Sequence, residues 1–310
     1  MPEATHLTLA HSPDADDVVM WWPITGRRHA DGSRFEGADG QPAIDTGGIE
    51  FQPIGEDVQV LNKRAIEVGD LDITAISAHA YPYLADRYRI TACGGSFGEG
   101  YGPKVVVRDD DRRFSLGDPH RLTGDDVKVA VPGRHTTACL TLSLLLDAEN
   151  GPPFEFVEMR FDKIIEAVRT GEVDAGVLIH EAQLTFESQG LRMLAELGVW
   201  WSEAMGTPLP LGLNVIKREV GTEARLVDVA AVSDTLKGSV LHARQQASAS
   251  RKLLLDRAGD RPEWRDDALV KRYLAMYVSD LTADMGDSGR EALKLLFQRG
   301  AAARLCPPVD

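Results

Sequence analysis

Ala65-Ile66-Glu67-Val68-Gly69-Asp70-Leu71-Asp72-Ile73 and, further along, Ala167-Val168-Arg169-Thr170-Gly171-Glu172-Val173-Asp174-Ala175 are two copies of one pattern, A-[IV]-x-x-G-[DE]-[LV]-D. An internal repeat constrains architecture before any single motif does. Upstream of the first copy, Val58, Leu61, Ala65 and Val68 recur at helical spacing, and Gly69 sits where a helix ends in a left-handed residue. The second copy has the same plan, with Ile164, Ile165 and Val168 as the apolar stripe and Gly171 as the stop. A short apolar strand follows each glycine, Leu71 to Ile76 and Val173 to Ile179, and runs into Ser77-Ala78-His79 in one copy and His180-Glu181 in the other.

Each half also opens alike, with a strand that feeds a helix N-terminus. Leu7 to Ala10 leads into Ser12-Pro13-Asp14-Ala15-Asp16-Asp17, and Lys128 to Val131 leads into Pro132-Gly133-Arg134-His135-Thr136-Thr137. The expectation is an α/β protein of two lobes joined by two crossing segments, with a cleft at the carboxyl ends of the strands. Glycine and proline clusters at 98–103 and 208–212 suit the crossings, which places 1–104 and 210–310 in lobe one and 105–209 in lobe two. The Gly- and Asp-rich stretch from Asp31 to Gly48 reads as a surface insertion in the first half, and Ala224 to Ala258 and Ser288 to Arg299 read as helices.

The 310 residues, 43% hydrophobic and 26% charged, suffice for two cores, since a single core stops growing at roughly 250 to 300 residues. A formal charge of −14 repels phosphate backbones and anionic lipid, so neither nucleic acid nor membrane is an expected partner. A small anion remains possible at a helix N-terminus. No run approaches the ~20 apolar residues of a membrane span, and the first residues lack the basic and apolar regions of an export signal, so a cytoplasmic site is expected. Cys93, Cys139 and Cys306 are far apart and outside any C-x-x-C, which signals neither a disulfide framework nor a zinc site. The oligomeric state is left open.

The turn from Pro132 to Thr137 has free N–H groups and two hydroxyls where a carboxylate or phosphate could sit; Thr136 or Thr137 could equally be a plain helix cap. Ser12 to Asp17 opens the corresponding helix, where three carboxylates, Asp14, Asp16 and Asp17, favour hydroxyl groups or a cation, or form no more than an acidic first turn. His180 leaves an apolar strand and could be a neutral imidazole that takes a proton from substrate, with Glu181 to orient it; the alternative is a structural histidine. His79, His135 and His11 are weaker candidates by the same argument. No histidine spacing suggests a metal, no phosphate-binding glycine loop suggests a nucleotide, and no G-x-S-x-G is present. Acid–base chemistry with no metal or organic cofactor is the expectation.

At V-A-V-P-G-R-H-T-T-A (Val129 to Ala138), G-E-V-D-A-G-V-L-I-H-E (Gly171 to Glu181) and P-L-P-L-G (Pro208 to Gly212) the chain resembles the 1,4-dihydroxy-6-naphthoate synthase family of the futalosine route to menaquinone. The resemblance runs from Ser12-Pro13 to Asp284-Met285-Gly286. It implies a two-lobed, periplasmic-binding-protein type II-like fold and a carbon–carbon lyase, which converts cyclic dehypoxanthine futalosine to dihydroxynaphthoate and dihydroxyacetone without a cofactor. It implies that His180 is the base and that a small-molecule carboxylate contacts Thr136, Thr137 and the strand end Ala75-Ile76-Ser77. Ser12, Asp14, Asp17, Arg134, His135, Glu181, Leu211 and Gly212 complete the candidate substrate-binding set. Where the family often has S-P-C-P-N-D and T-K-L-S, this chain has Ser12-Pro13-Asp14-Ala15-Asp16-Asp17 and Thr74-Ala75-Ile76-Ser77. A cation is lost and acid gained on that side, which leaves room for a modified substrate. The rival readings are a chorismate dehydratase-like enzyme of the same pathway and a cytoplasmic binder of small anions.

Overall fold

The computed structural model describes residues 5–115, 117–222, 225–259 and 261–309. The chain divides into two compact units, one of residues 1–76, 84–96 and 212–286 and the other of residues 77–83, 97–211 and 287–310.

In the first unit, β1 (Thr5–His11), β2 (Ile49–Gly55), β3 (Ile73–Ser77), β4 (Tyr88–Ile90) and β11 (Leu209–Lys217) lie in the order β2-β1-β3-β11-β4. β1 pairs in parallel with β2 and β3, whereas β11 and β4 are antiparallel. Between β1 and β2 runs α1 (Ala15–Thr25), in which Val18 to Thr25 are all buried. A helix that is apolar on every side belongs inside a core, and α1 is enclosed by α6 (Val229–Gln245), α7 (Ala247–Asp256) and α8 (Asp267–Tyr277). The helix expected from 224 to 258 is thus two helices that meet at Gln246, whose ψ of 44° departs from helical geometry; residue 224 lies outside the described residues.

The second unit carries β6 (Lys104–Arg108), β7 (Lys128–Val131), β8 (Glu155–Glu158), β9 (Ala175–Leu178) and β10 (Leu191–Glu196), in the order β10-β6-β9-β7-β8. β7 is parallel to β8 and β9, and β6 is antiparallel to β9 and β10. Its inner strands β6, β9 and β7 are apolar without alternation because both faces are covered. Val105, Val107, Val129, Val131 and Val177 pack with Ala138 and Leu142 of α3 (Thr137–Leu145), while Val106, Ala130 and Leu178 pack with Ile164 and Val168 of α4 (Ile164–Thr170).

Both copies of the repeat do the same work. α2 (Val58–Glu67) and α4 end at Gly69 and Gly171, with φ of 69° and 77°. That left-handed conformation is cheap only for glycine. The closing aspartate of each copy then clasps the unit's opening strand. Asp72 accepts from the Thr8 N–H and hydroxyl, each at 2.9 Å, and Asp174 accepts from the Lys128 N–H at 2.9 Å.

The chain changes unit at 76/77, 83/84, 96/97, 211/212 and 286/287. The division at the C-terminus is different from the sequence expectation: α10 (Gly286–Ala302) and the residues after it group with the second unit. Phe297 stacks on Tyr81 at 5.7 Å, the Asn150 N–H donates to Ala303, and Gly300 faces Leu140 and Cys306. An amphipathic stripe shows that a helix is buried on one side; it carries no information about which core it covers. No helix among the described residues is long and apolar enough to cross a membrane.

Candidate functional site

His180 stands directly after β9, where Ile179 is still extended and the chain turns into a short 3-10 helix, His180–Leu184. Its φ is 54°, a left-handed conformation that costs an L-residue roughly 1–2 kcal/mol. Such strain concentrates at functional sites. The imidazole is half-buried and meets the Phe161 ring edge-on, with centroids 4.8 Å apart and planes at 63°. Phe161 opens the single turn that leads into α4, so the helix of the second repeat copy braces the residue at the end of that copy's strand. Glu181 follows on the same turn and is half-buried.

The turn before α3 is in the same unit. Thr136 is the helix cap: its hydroxyl accepts from the Cys139 N–H at 3.3 Å and donates to the Gly133 carbonyl at 2.6 Å. Thr137 donates its hydroxyl to the Leu211 carbonyl at 2.8 Å and accepts from the His79 N–H at 3.2 Å. Both threonines are at most 3% exposed, and both hydroxyls serve the protein. What the turn offers an anion is its backbone, because the first N–H groups of a helix, here those of Thr137 and Ala138, have no acceptor within it. Leu211 thus meets Thr137 through its carbonyl.

His79 supports this turn from below. Its ring nitrogens lie 3.2 Å from the Thr136 and Leu305 carbonyls, and burial pushes its pKa down to about 4. It is a neutral structural histidine. His135 is half-buried with its ring 5.2 Å from that of Tyr83, and Arg134 is exposed, its guanidinium 5.5 Å from the Phe156 ring and its N–H given to Glu158. His79, Tyr83, Arg134, His135 and Arg304 line a cavity of about 290 Å³.

In the first unit the corresponding turn closes on its own carboxylates. The Ser12 N–H donates to Asp17 at 2.9 Å, the Ser12 hydroxyl donates to Asp14, Trp21 donates to Asp17 at 3.2 Å, and Tyr273 donates to Asp16 at 2.9 Å. Asp14 is 2% exposed and Asp17 7%. Burial first, and then the charge of Asp14, push Asp17 up to about 7. His11 is held down to about 4 by burial. Among the described residues no group of three or more His, Cys, Asp or Glu is arranged to hold a metal. Ala75, Ile76 and Ser77 are buried on β3, and Gly212 lies beside the Ile76 carbonyl, with its N–H given to the Ser96 hydroxyl at 3.0 Å. Phe161 was not among the residues singled out in the sequence, where a phenylalanine before a helix carries no sign of the histidine it will touch.

Residues 7–302 match a protein family described as menaquinone biosynthesis. A 1,4-dihydroxy-6-naphthoate synthase of Streptomyces coelicolor is 33% identical over 305 residues, covering 98% of this chain and 96% of that one. A 1,4-dihydroxy-6-naphthoate synthase of Thermus thermophilus is 35% identical over 260 residues, 84% of this chain and 87% of that one. Among solved structures, a protein from Archaeoglobus fulgidus is 36% identical with a TM-score of 0.76, over 97% of this chain and 98% of that one. The alkanesulfonate-binding protein of Xanthomonas axonopodis pv. citri, 14% identical with a TM-score of 0.60 over 99% and 96% of the two chains, shows the fold alone. That fold is the two-lobed, type II solute-binding one.

Proposed function

The chain belongs to the menaquinone biosynthesis family, and from that membership we propose that its chemistry is carried by His180 together with the helix end at Thr136 and Thr137. The protein is an enzyme, with the activity of a 1,4-dihydroxy-6-naphthoate synthase. In this reading the substrate is cyclic dehypoxanthine futalosine, a small-molecule carboxylate. The N–H groups of Thr137 and Ala138 hold the carboxylate at the positive end of α3. His180, braced by Phe161, takes a proton from the bound substrate, and the carbon–carbon bond breaks as the ring becomes aromatic and dihydroxyacetone departs. A cytoplasmic setting belongs to the same reading.

The observation that carries the assignment of the base is the conformation of His180, a left-handed residue at a strand end with its ring fixed against Phe161. A surface histidine needs neither. In the same reading Glu181, the next residue on the turn, biases the ring's orientation.

The test is to incubate the purified protein with cyclic dehypoxanthine futalosine, without added metal or nucleotide, and to follow dihydroxynaphthoate by mass spectrometry. Wild type forms product, and His180→Ala lowers turnover by ~10² or more, the usual contribution of a positioned base. Substrate recovered intact from wild type would refute the activity, and equal rates in the two proteins would refute the base.

A further inference from the structure

We propose that the first unit carries a second binding site, for a small organic carboxylate, walled by the Gly-rich insertion and gripped by Arg28 and Arg257. The cavity has a volume of about 260 Å³ and is lined by Trp21, Trp22, Arg28, Leu253 and Arg257, with His11 at one end. None of the candidate substrate-binding residues lines it.

Charge is the reason to expect an anion. The neighbouring cations Arg27 and Arg34 have carboxylate partners, Asp39 at 3.1 Å and Glu50 at 2.6 Å. Arg28, Arg257 and Arg261 have none among the described residues, in a chain with a formal charge of −14. The hydrogen bonds they donate go to backbone carbonyls, and Glu50, the carboxylate that acts on Arg28 through space, is paired with Arg34. Arg28 donates to the Gly32 carbonyl at 3.0 Å, Arg257 to the Arg28 carbonyl at 3.2 Å, and Arg261 to the Pro13 carbonyl at 2.7 Å. The Arg28 Nε is buried and has no hydrogen-bond partner among the described residues. A buried guanidinium nitrogen left unpaired is costly, and a bidentate carboxylate answers it. Burial first lowers the pKa of Arg28 and Arg257, and then the charge of Arg34 acts on Arg28 and the charges of Arg261 and Arg28 act on Arg257, which a bound anion would relieve. Asp31, which also lines the cavity, is exposed and already accepts from the Ser33 N–H and hydroxyl.

The insertion is built to hold this wall. Gly26 ends α1 with a φ of 73° and lies so close to Gly40 that a Cβ would sit 2.2 Å from the Gly40 carbonyl oxygen. The Arg27 N–H donates to Asp39 at 2.9 Å, and the Ala43 N–H to Pro23 at 2.7 Å, so the loop folds back and sets Arg28 over the cavity. Trp21, Trp22 and Leu253 add apolar surface to a lining that is otherwise largely polar, which favours an anion with a flat hydrocarbon body over inorganic phosphate.

The probe is 2-naphthoate, titrated calorimetrically into the full chain, with 2-naphthol and inorganic phosphate as controls. The expected result is a binding component that weakens about tenfold or more in Arg257→Gln and in Arg28→Gln, and that persists in His180→Ala. Circular dichroism establishes that both arginine variants are folded, and their turnover stays at the wild-type value. Unchanged binding in both arginine variants, equal binding of 2-naphthol, phosphate binding in its place, or loss of the component in His180→Ala alone would each overturn the proposal.

Discussion

The two copies of the repeat are alike in backbone and unlike in chemistry. Each runs helix, left-handed glycine, aspartate, strand, and in each the aspartate clasps the opening strand of its own unit. They diverge afterwards. The first copy continues through Thr74 to a buried Ser77, whereas the second has Gly176 at the matching place and ends in His180, strained and braced by Phe161. The opening turns diverge in the same way. Thr136 caps α3 with a hydroxyl, but Asp14 stands at the corresponding position of α1 and makes no side-chain cap bond. Identical local geometry is therefore compatible with the helix end proposed to hold an anion in one unit and a closed acidic knot in the other, because the fold consumes only the glycine and the aspartate.

The sharpest way to break this contrast is to remove what the second copy has and the first lacks. His180→Ala is expected to reduce turnover by ~10² or more while the thermal midpoint stays near wild type, as read by product formation and calorimetry. A loss of folding instead would make His180 structural, like His79.

Gly176→Ala addresses the next difference. An added Cβ would lie 2.4 Å from Ile164 and 2.8 Å from Val168, so the helix must shift at a cost of about 1–3 kcal/mol, measured by denaturant unfolding. The bulkier Thr74 is accepted by the first copy, and full tolerance of alanine at 176 would show that the helix–strand spacing of the two copies is not the distinction drawn above.

The caps give a smaller effect. Thr136→Ala is expected to lower stability by about 0.5–2 kcal/mol, since it removes the acceptor for the Cys139 N–H. Stability equal to wild type would remove the cap from the comparison.

The mildest change is a pH profile. Asp17 titrates at about 7 in the native state against an ordinary 3.8, so the native state retains a proton that the unfolded chain has released. Stability from this group consequently falls as pH rises from about 4 to 7. Asp14→Asn removes the neighbouring charge, lowers the Asp17 value and flattens that decline, so the variant gains on wild type between pH 5 and 7.5 in thermal melts. Parallel profiles would show that the two carboxylates do not interact.

Much of this was legible in the chain. Glycines 69 and 171, the stripes before them and the apolar strands after them are local statements about φ, ψ and periodicity, and they appear where the spacing puts them. The place of His180 at the end of the second copy's strand was legible as well. The clasping role of Asp72 and Asp174 was not, because their partners Thr8 and Lys128 are distant in sequence and are reached only when the strands pair. Nor could the hydroxyls of Thr136 and Thr137 be allotted in advance. A threonine at a helix start can face a ligand or its own backbone, and neighbours such as His79 and Leu211 decide which.

By itself, the sequence determined the two-fold α/β plan, the position of the strand ends and the residue types at them, since these follow from short-range conformational preference and from which side chains avoid water. Only the tertiary structure decided that α10 belongs with the second unit, that Phe161 braces His180, and that Arg28 and Arg257 line one cavity with no ion-pair partner among the described residues. Those are contacts between residues far apart in the chain, and the free energy that selects them is the burial of faces against one another, which exists only once the elements have met.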